Sequence, residues 1–371
     1  MREAIYLDWN ATAPMRPAAL AVWAEAAAQI GNPSSVHGFG RRARRRVEDA
    51  REQVARAVNA RPAEVIFTGS GTEAINLAVR GCGRDRILIS AVEHDAVLKA
   101  APHAERIPVD GQGLVDLAVL ERHLAGTGAP ALVSVMLANN ETGVVQPVAE
   151  VARIAHAHGA LVHCDAVQAL AKIPVDCTAL GVDYLSVSAH KIGGPQGMGA
   201  LVVRADAPLA AQIVGGGQER WRRAGTENVA GIAAFGAAVQ EGIASLDDMN
   251  KIRALRDRAE RALLAVGGAR IIGGAAERLP NTICIAVAGA QSATLIMKLD
   301  LAGIAVSAGS ACSSGKVHAS HVLQAMGIEP REAEGVLRIS LGWTTAAADI
   351  DRLIAAWGNI WAHDAAASCA A

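Results

Sequence analysis

The sequence predicts an α/β fold: a large domain built on a mostly parallel, mixed sheet with helices on both faces, followed by a smaller α/β unit. Three observations carry this expectation. The 371 residues are 51% hydrophobic, enough for a large core and for two domains. Between residue 62 and about residue 205, short β-rich runs alternate with segments of helical period. After about residue 246 the order of elements changes, with a long amphipathic pattern and then shorter strands.

Along the chain, RRARRR is followed by VEDAREQVARAV, whose charges and apolar residues recur at helical spacing and predict a helix with a solvated face. EVIFTG, RILIS, ALVSVML, ALVHCD, DYLSVS and GALVV are strands by their β-branched, apolar character, and TEAINLAVR and VAEVARIAHAHG are helices between them. NVAGIAAFGAAVQEGIA leads to DDMNKIRALRDRAERALLAV, a long amphipathic helix, then to the strands NTICIAV and GVLRISL and a last helix, DIDRLIAAWGNIW. These elements divide into a large domain over residues 13–246 and a small domain made of residues 1–12 and 247–371.

A net charge of −1 gives no general drive toward nucleic acid or a membrane, and neither is expected as a partner. No segment approaches the ~20 apolar residues of a membrane span, and MREAIYLDWN lacks the apolar stretch of a signal peptide, so a cytoplasmic location is the default. The six cysteines are dispersed without a CxxC pair, so reduced thiols are expected. Most lie in apolar runs such as LVHCDAV and NTICIAV and suit small buried hydrophobes. Cys312 differs, lying in SAGSACSSGK, whose small residues predict a mobile, exposed loop.

In sheets of this class ligands bind at the carboxyl ends of strands, and the polar residues there define the candidate site. VIFTGSGTEAINLAV puts Gly69, Ser70, Gly71 and Thr72 between a strand and a helix, where free N–H groups and the helix dipole suit a phosphate. The same GSGTEA matches a dinucleotide fingerprint, with Glu93 spaced as a ribose-binding acid, and it also suits a plain helix cap by Ser70 or Thr72. Asp165 ends an otherwise apolar strand, with Gln168 one helical turn later, and a buried carboxylate there needs a cationic or hydrogen-bonding partner. His163 and Asp165 alone do not make a metal site, and no metal is expected.

Lysine is scarce, six residues against 29 arginines, so Lys191 at the end of SVSAHK invites explanation. It is preceded by Ser188 and His190 and followed by Gly193 and Gly194, which allow close approach of backbone or ligand. A phosphate cradle, a buried carboxylate and a strand-end lysine together match pyridoxal 5'-phosphate, which needs an anion site, an acid at its ring nitrogen and a lysine imine. Arginine cannot form that imine. His94, just past RILIS, is positioned to stack on a flat ring and move protons near neutral pH.

The stretches YLDWNATAP, GNPSSVHGFG, FTGSGTEAINLA, VEHDAVL, ANNETGVVQP, HCDAVQALAKIPVD, SAHKIGGPQGMGAL, GGGQERWRRAGTEN, SAGSACSSG and LRISLG resemble, in this order, motifs of NifS/IscS-type cysteine desulfurases, class V members of the fold-type I pyridoxal-phosphate enzymes. The resemblance implies Lys191 as the imine lysine, Asp165 at the pyridine nitrogen, Gln168 at the ring hydroxyl and His94 as stacking acid/base. It implies a phosphate held by Gly71, Thr72, Ser188 and His190, with Thr226 contributed by the second subunit of a homodimer. Asn140 would lie beside ring and substrate, Arg338 would clamp the substrate carboxylate, and Cys312 would be the nucleophile that takes sulfur from L-cysteine, leaving alanine.

An iron-sulfur scaffold protein is the implied acceptor, since SAGSACSSGKVHASHVL is similar to the longer-loop members, although the Ala-rich tail after Trp361 is short for a housekeeping member. Gln196 replaces a lysine that many relatives carry. Two other readings are carried. Another class V enzyme, a selenocysteine lyase or aminotransferase, would use Lys191 and Asp165 without Cys312. A nicotinamide dinucleotide oxidoreductase built on GSGTEA leaves Lys191, Asp165 and Gln168 without roles.

Overall fold

The computed structural model describes residues 4–126, 128, 130–265, 268–308 and 320–369, with the side chains of 363–369 excluded. Its strands, in chain order, are β1 (Ile5–Tyr6), β2 (Val65–Thr68), β3 (Arg86–Ser90), β4 (Glu105–Ile107), β5 (Ala131–Ser134), β6 (Leu161–Asp165), β7 (Tyr184–Ser188), β8 (Gly199–Val203), β9 (Ala269–Ile271), β10 (Thr282–Val287), β11 (Ile304–Ala305), β12 (Ser307–Ala308) and β13 (Val336–Ser340). Strands β2 to β8 form one seven-stranded sheet in the order β2-β8-β7-β6-β5-β3-β4. Strand β8 runs antiparallel to both neighbours, and the remaining pairs are parallel. Strands β2, β3, β5, β6 and β7 therefore all end at the same edge of the sheet.

Full burial explains why these strands are apolar without alternation: β2, β5, β7 and β8 have every residue buried. On one face the helix Val229–Ala244, rich in alanine and glycine, lies against the helices Pro17–Ala27 and Gly38–Ala57. The small residues permit a close approach. The basic run on Gly38–Ala57 is largely spent within the chain: Arg44 pairs with Glu48, Arg46 with Glu25, and Arg42 lies over the Phe39 ring.

A second, four-stranded sheet has the order β12-β13-β10-β9 and is antiparallel throughout. Its core joins Ile283, Ile285, Leu337 and Ile339 to Ile252 and Leu263 of the helix Met249–Leu263, and to Leu353 and Trp357 of the helix Ala347–Cys369. Ile5 and Leu7 of the N-terminal segment are buried in that core, and β1 pairs in parallel with β11. The same segment then bridges to β13 at Asp8 and Ser340 and runs on to the edge of the large sheet, where Ala13 N–H donates to His190 O. The short edge strand β4 has too few residues to show a pattern in sequence.

Candidate active site

The shared carboxyl edge of β2, β3, β5, β6 and β7 opens into a cavity of about 440 Å³. Gly71, Thr72, His94, Asp165, Gln168 and Lys191 line it from the large sheet, together with Asn140, Ser188 and His190, and Arg338 closes it from β13.

Lys191 follows β7 through a short 3-10 turn, and its Nζ donates to Asn10 O (2.6 Å) and Ala11 O (2.7 Å). Burial and the Arg338 guanidinium push the amine down to about 8, with Asp8 and Asp165 opposing. Such an amine is neutral, and so nucleophilic, at mildly alkaline pH. Asp165 is the last residue of β6, and its Oδ1 accepts the Val167 N–H (2.9 Å). Burial raises its carboxyl above the usual range, while His94 and Lys191 draw it back.

The helix Gly71–Gly81 starts at the cavity. Ser70 caps it, Oγ accepting the Glu73 N–H (3.0 Å), and Glu73 accepts the Gly69 N–H and pairs with Arg223, which braces the loop. The first N–H groups of such a helix have no carbonyl within it, and its dipole favours an anion there. A Cβ on Gly71 would sit 3.0 Å from Val167 Cγ2 and 3.2 Å from Ser188 Cβ, so glycine allows the helix start to press against the ends of β6 and β7. His94 caps the short helix Asp95–Ala100, its Nδ1 accepting the Ala96 N–H (3.1 Å). Its neutral ring therefore carries the proton on Nε2. His190 Nδ1 lies 3.1 Å from Thr12 Oγ1, and burial beside Lys191 pushes the imidazole down to about 4, keeping it neutral.

Arg338 is 5% exposed. One terminal nitrogen donates to Asn140 O (3.0 Å), the other to Asp8 Oδ1 (2.7 Å), and its buried Nε has no hydrogen-bond partner among the described residues. A planar guanidinium bordering a cavity suits a carboxylate ligand.

Several residues singled out in the sequence lie outside this cavity. Gly193 and Gly194 do not border the cavity: Gly193 has φ +82° and a Cβ there would lie 2.5 Å from Trp343, while one on Gly194 would lie 2.9 Å from the Ala189 Cβ. These glycines admit protein packing behind the lysine. Thr226 is exposed and outside this chain's own cavity. Glu93 is fully buried, Oε1 accepting from Ser90 Oγ (2.6 Å) and Met136 N (2.8 Å), and burial pushes it up to about 8. It cannot reach a ribose. His163 is sealed between Ser134 and Ser186 and pushed down to about 3.

Cys312 lies outside the described residues. Cys82, Cys164, Cys177 and Cys284 are buried, and burial raises all four thiols, Cys177 and Cys284 to about 12. Thiols so held are poor nucleophiles. Two lining residues, Asp8 and Asn10, went unassigned in sequence although they lie in YLDWNATAP. An early acidic residue followed by an amide was the available signal, but nothing local ties it to a strand end more than 150 residues away.

Comparisons with known proteins identify the family. The aminotransferase class-V family model matches residues 5–353. The chain is 45% identical over 368 residues to a cysteine desulfurase of Cereibacter sphaeroides, covering 95% of this chain and 94% of that protein. It is 42% identical to an IscS-like cysteine desulfurase of Mycobacterium tuberculosis, covering 93% of each. Among solved structures, a NifS-like protein from Rickettsia africae is similar with a TM-score of 0.90 at 36% identity, covering 97% of this chain and 99% of that one. SspA in complex with cysteine is similar with a TM-score of 0.79 at 27% identity, covering 91% of this chain and 98% of that one.

Proposed function

The chain belongs to the aminotransferase class-V family and is a cysteine desulfurase within it, and from that premise we propose how its own residues divide the work. The observation that carries the assignment is the convergence of the Lys191 amine, the Asp165 carboxyl, the start of helix Gly71–Gly81 and the Arg338 guanidinium on one cavity. That donor set fits pyridoxal 5'-phosphate. The helix start with Ser188 and His190 would hold the phosphate, Asp165 the ring nitrogen, Gln168 the ring hydroxyl, His94 a ring face, and Lys191 the aldehyde carbon. Bound there, the cofactor supplies the electron sink that lets an amino acid release its α-proton.

The protein groups then have defined tasks. Arg338, backed by Asp8 and the Asn140 carbonyl, orients the carboxylate of L-cysteine, and Asn140 lies beside the amino acid. Lys191 Nζ, held near pH 8, takes up and returns a proton. The raised carboxyl of Asp165 shares a proton readily with a basic ring nitrogen. His94 donates or accepts at Nε2, because Nδ1 is occupied by the Ala96 N–H. We assign the sulfur-accepting thiol to Cys312 from its place in SAGSACSSGK. The accessible alternatives narrow, since Cys82, Cys164, Cys177 and Cys284 are buried with raised thiols.

We further propose a cytoplasmic homodimer in which Thr226 of each chain reaches the other's phosphate site, with an iron-sulfur scaffold protein receiving the sulfur. The exposure of Ile30, Val36, Val214 and Trp221 supports a surface for a second copy. Among the described residues no single helix is long and apolar enough to cross a membrane.

The test is production of sulfide and alanine from L-cysteine with a thiol reductant, in the parent protein and in Cys312→Ser. Equal amounts of both products, lost in the variant while the cofactor's colour persists, support the assignment. Turnover indifferent to Cys312 would move the sulfur-accepting role elsewhere.

A further inference from the structure

Lys172 is a buried lysine with no carboxylate partner among the described residues, four residues beyond Gln168 in a segment of turns. Its Nζ donates to Gln168 Oε1 (2.7 Å) and Asn10 Oδ1 (2.9 Å). Amide groups can present either end to a neighbour, but a lysine carries donors only, so both amides must turn their oxygens toward it. The consequences propagate. With its oxygen committed, Gln168 must aim Nε2 the other way, where one N–H goes to Asn10 O (2.9 Å) and the second is left over at the cavity wall. Asn10 likewise must aim Nδ2 at Thr282 Oγ1 (2.9 Å), whose hydroxyl then donates to Asn281 Oδ1 (3.0 Å), and Asn281 Nδ2 closes the ring on Asn10 Oδ1 (3.1 Å) and Leu341 O. The Lys172 amine, a donor only, and the Asn10 and Leu341 carbonyls, acceptors only, together set the direction of the hydrogen bonds in a network joining the N-terminal segment, the large sheet and the four-stranded sheet.

We propose that Lys172 is a positioning residue that locks Gln168 with its N–H, and never its carbonyl, presented to the cavity, so that an oxyanion on the ring of a bound cofactor always meets a donor. This rests on the reading that the cavity binds pyridoxal phosphate. The two acceptors match the two hydrogens of a neutral amine, so the lock holds whether or not Nζ carries a third proton. The charged groups facing Lys172 are Lys191 and Arg338, both cations, and with burial they press its amine toward that neutral form.

The measurement is the pH midpoint of the visible absorbance change of the protein loaded with pyridoxal phosphate, which reports the protonation of the cofactor's link to lysine. A donor on the ring oxygen competes with that link's own hydrogen bond and holds the midpoint down. Lys172→Met, which keeps bulk and removes the donors, is expected to raise the midpoint by about one pH unit, a tenfold change in the protonation equilibrium. Gln168→Ala is expected to raise it by a similar amount, and adding Lys172→Met to Gln168→Ala to change nothing more, because the lysine acts through the amide. An unchanged midpoint in Lys172→Met, or a shift that adds fully to that of Gln168→Ala, overturns the proposal. If Lys172→Met does not fold, Lys172→Gln takes its place, since one Nε2 carries two N–H donors. A midpoint near the parent's then supports the lock, and one near that of Gln168→Ala overturns it. Absence of any visible chromophore in the parent would instead refute the cofactor reading.

Discussion

Lys191 and Lys172 share a neighbour, Asn10, yet their surroundings differ in kind. Among the described residues Lys191 Nζ donates to two backbone carbonyls, those of Asn10 and Ala11, and the side chain borders a cavity of about 440 Å³. Lys172 donates to the side-chain amides of Gln168 and Asn10, and Gln168 Nε2 donates in turn to the Asn10 carbonyl. Both amines are depressed by burial, but one has space for a new bond and the other has spent its hydrogens on orienting neighbours. A low pKa therefore does not by itself mark a reactive lysine. An open side on which a ligand can sit does.

The largest expected break of this contrast is Lys191→Ala. Turnover of L-cysteine should fall by at least about 10³-fold and the lysine-linked chromophore should be lost, as follows when a covalent catalyst is removed. A chromophore that survives in Lys191→Ala and disappears in Lys172→Met would reverse the two roles. Next is Arg338→Lys, which keeps the charge but not the planar fork. Steady-state kinetics should show KM for L-cysteine raised about 10- to 100-fold with a smaller change in kcat.

Stability against pH sharpens the comparison at smaller scale. Lys191 has a folded pKa of about 8 against 10.5 for an ordinary lysine, so between those values the unfolded chain binds more protons and folding is favoured as pH rises. Thermal melts of cofactor-free protein should show that Lys191→Met loses this gain between pH 8 and 10.5. Glu93 gives the opposite sign. Its folded value of about 8 exceeds the ordinary 4.5, so its contribution is complete below pH 4.5 and lost as pH rises toward 8. Melts of Glu93→Gln should be correspondingly flatter across that window, and equal slopes in parent and variant would place Glu93 in contact with solvent.

Much of the fold could be read from local pattern. Fully buried strands are continuous apolar runs, so RILIS and DYLSVS announce themselves, and a residue such as Asp165 or Lys191 is conspicuous where such a run stops. The exposed face of the helix Gly38–Ala57 followed from its period in the same way. Strand β4, at three residues, carries no period, and β8 gave no hint that it runs against its neighbours, because direction in a sheet depends on the connection and not on composition. Gly193 marks a further limit. Glycine signals close approach, but whether a cofactor or the Trp343 ring does the approaching depends on what the rest of the chain brings there.

From residue types and order alone came much of the chemistry: an amine able to form an imine, a carboxyl at a strand end and a helix start suited to phosphate. These are properties of side chains and of short-range periodicity, which the chain carries wherever it folds. Folding in three dimensions supplied the partners. Asp8 meets Arg338 across 330 residues, and Asn10 meets Lys172, Lys191 and Asn281 at once. Such contacts depend on where two sheets and the N-terminal segment come to rest, and that placement turns a scattered set of polar residues into a single cavity with directed hydrogen bonds and shifted proton affinities.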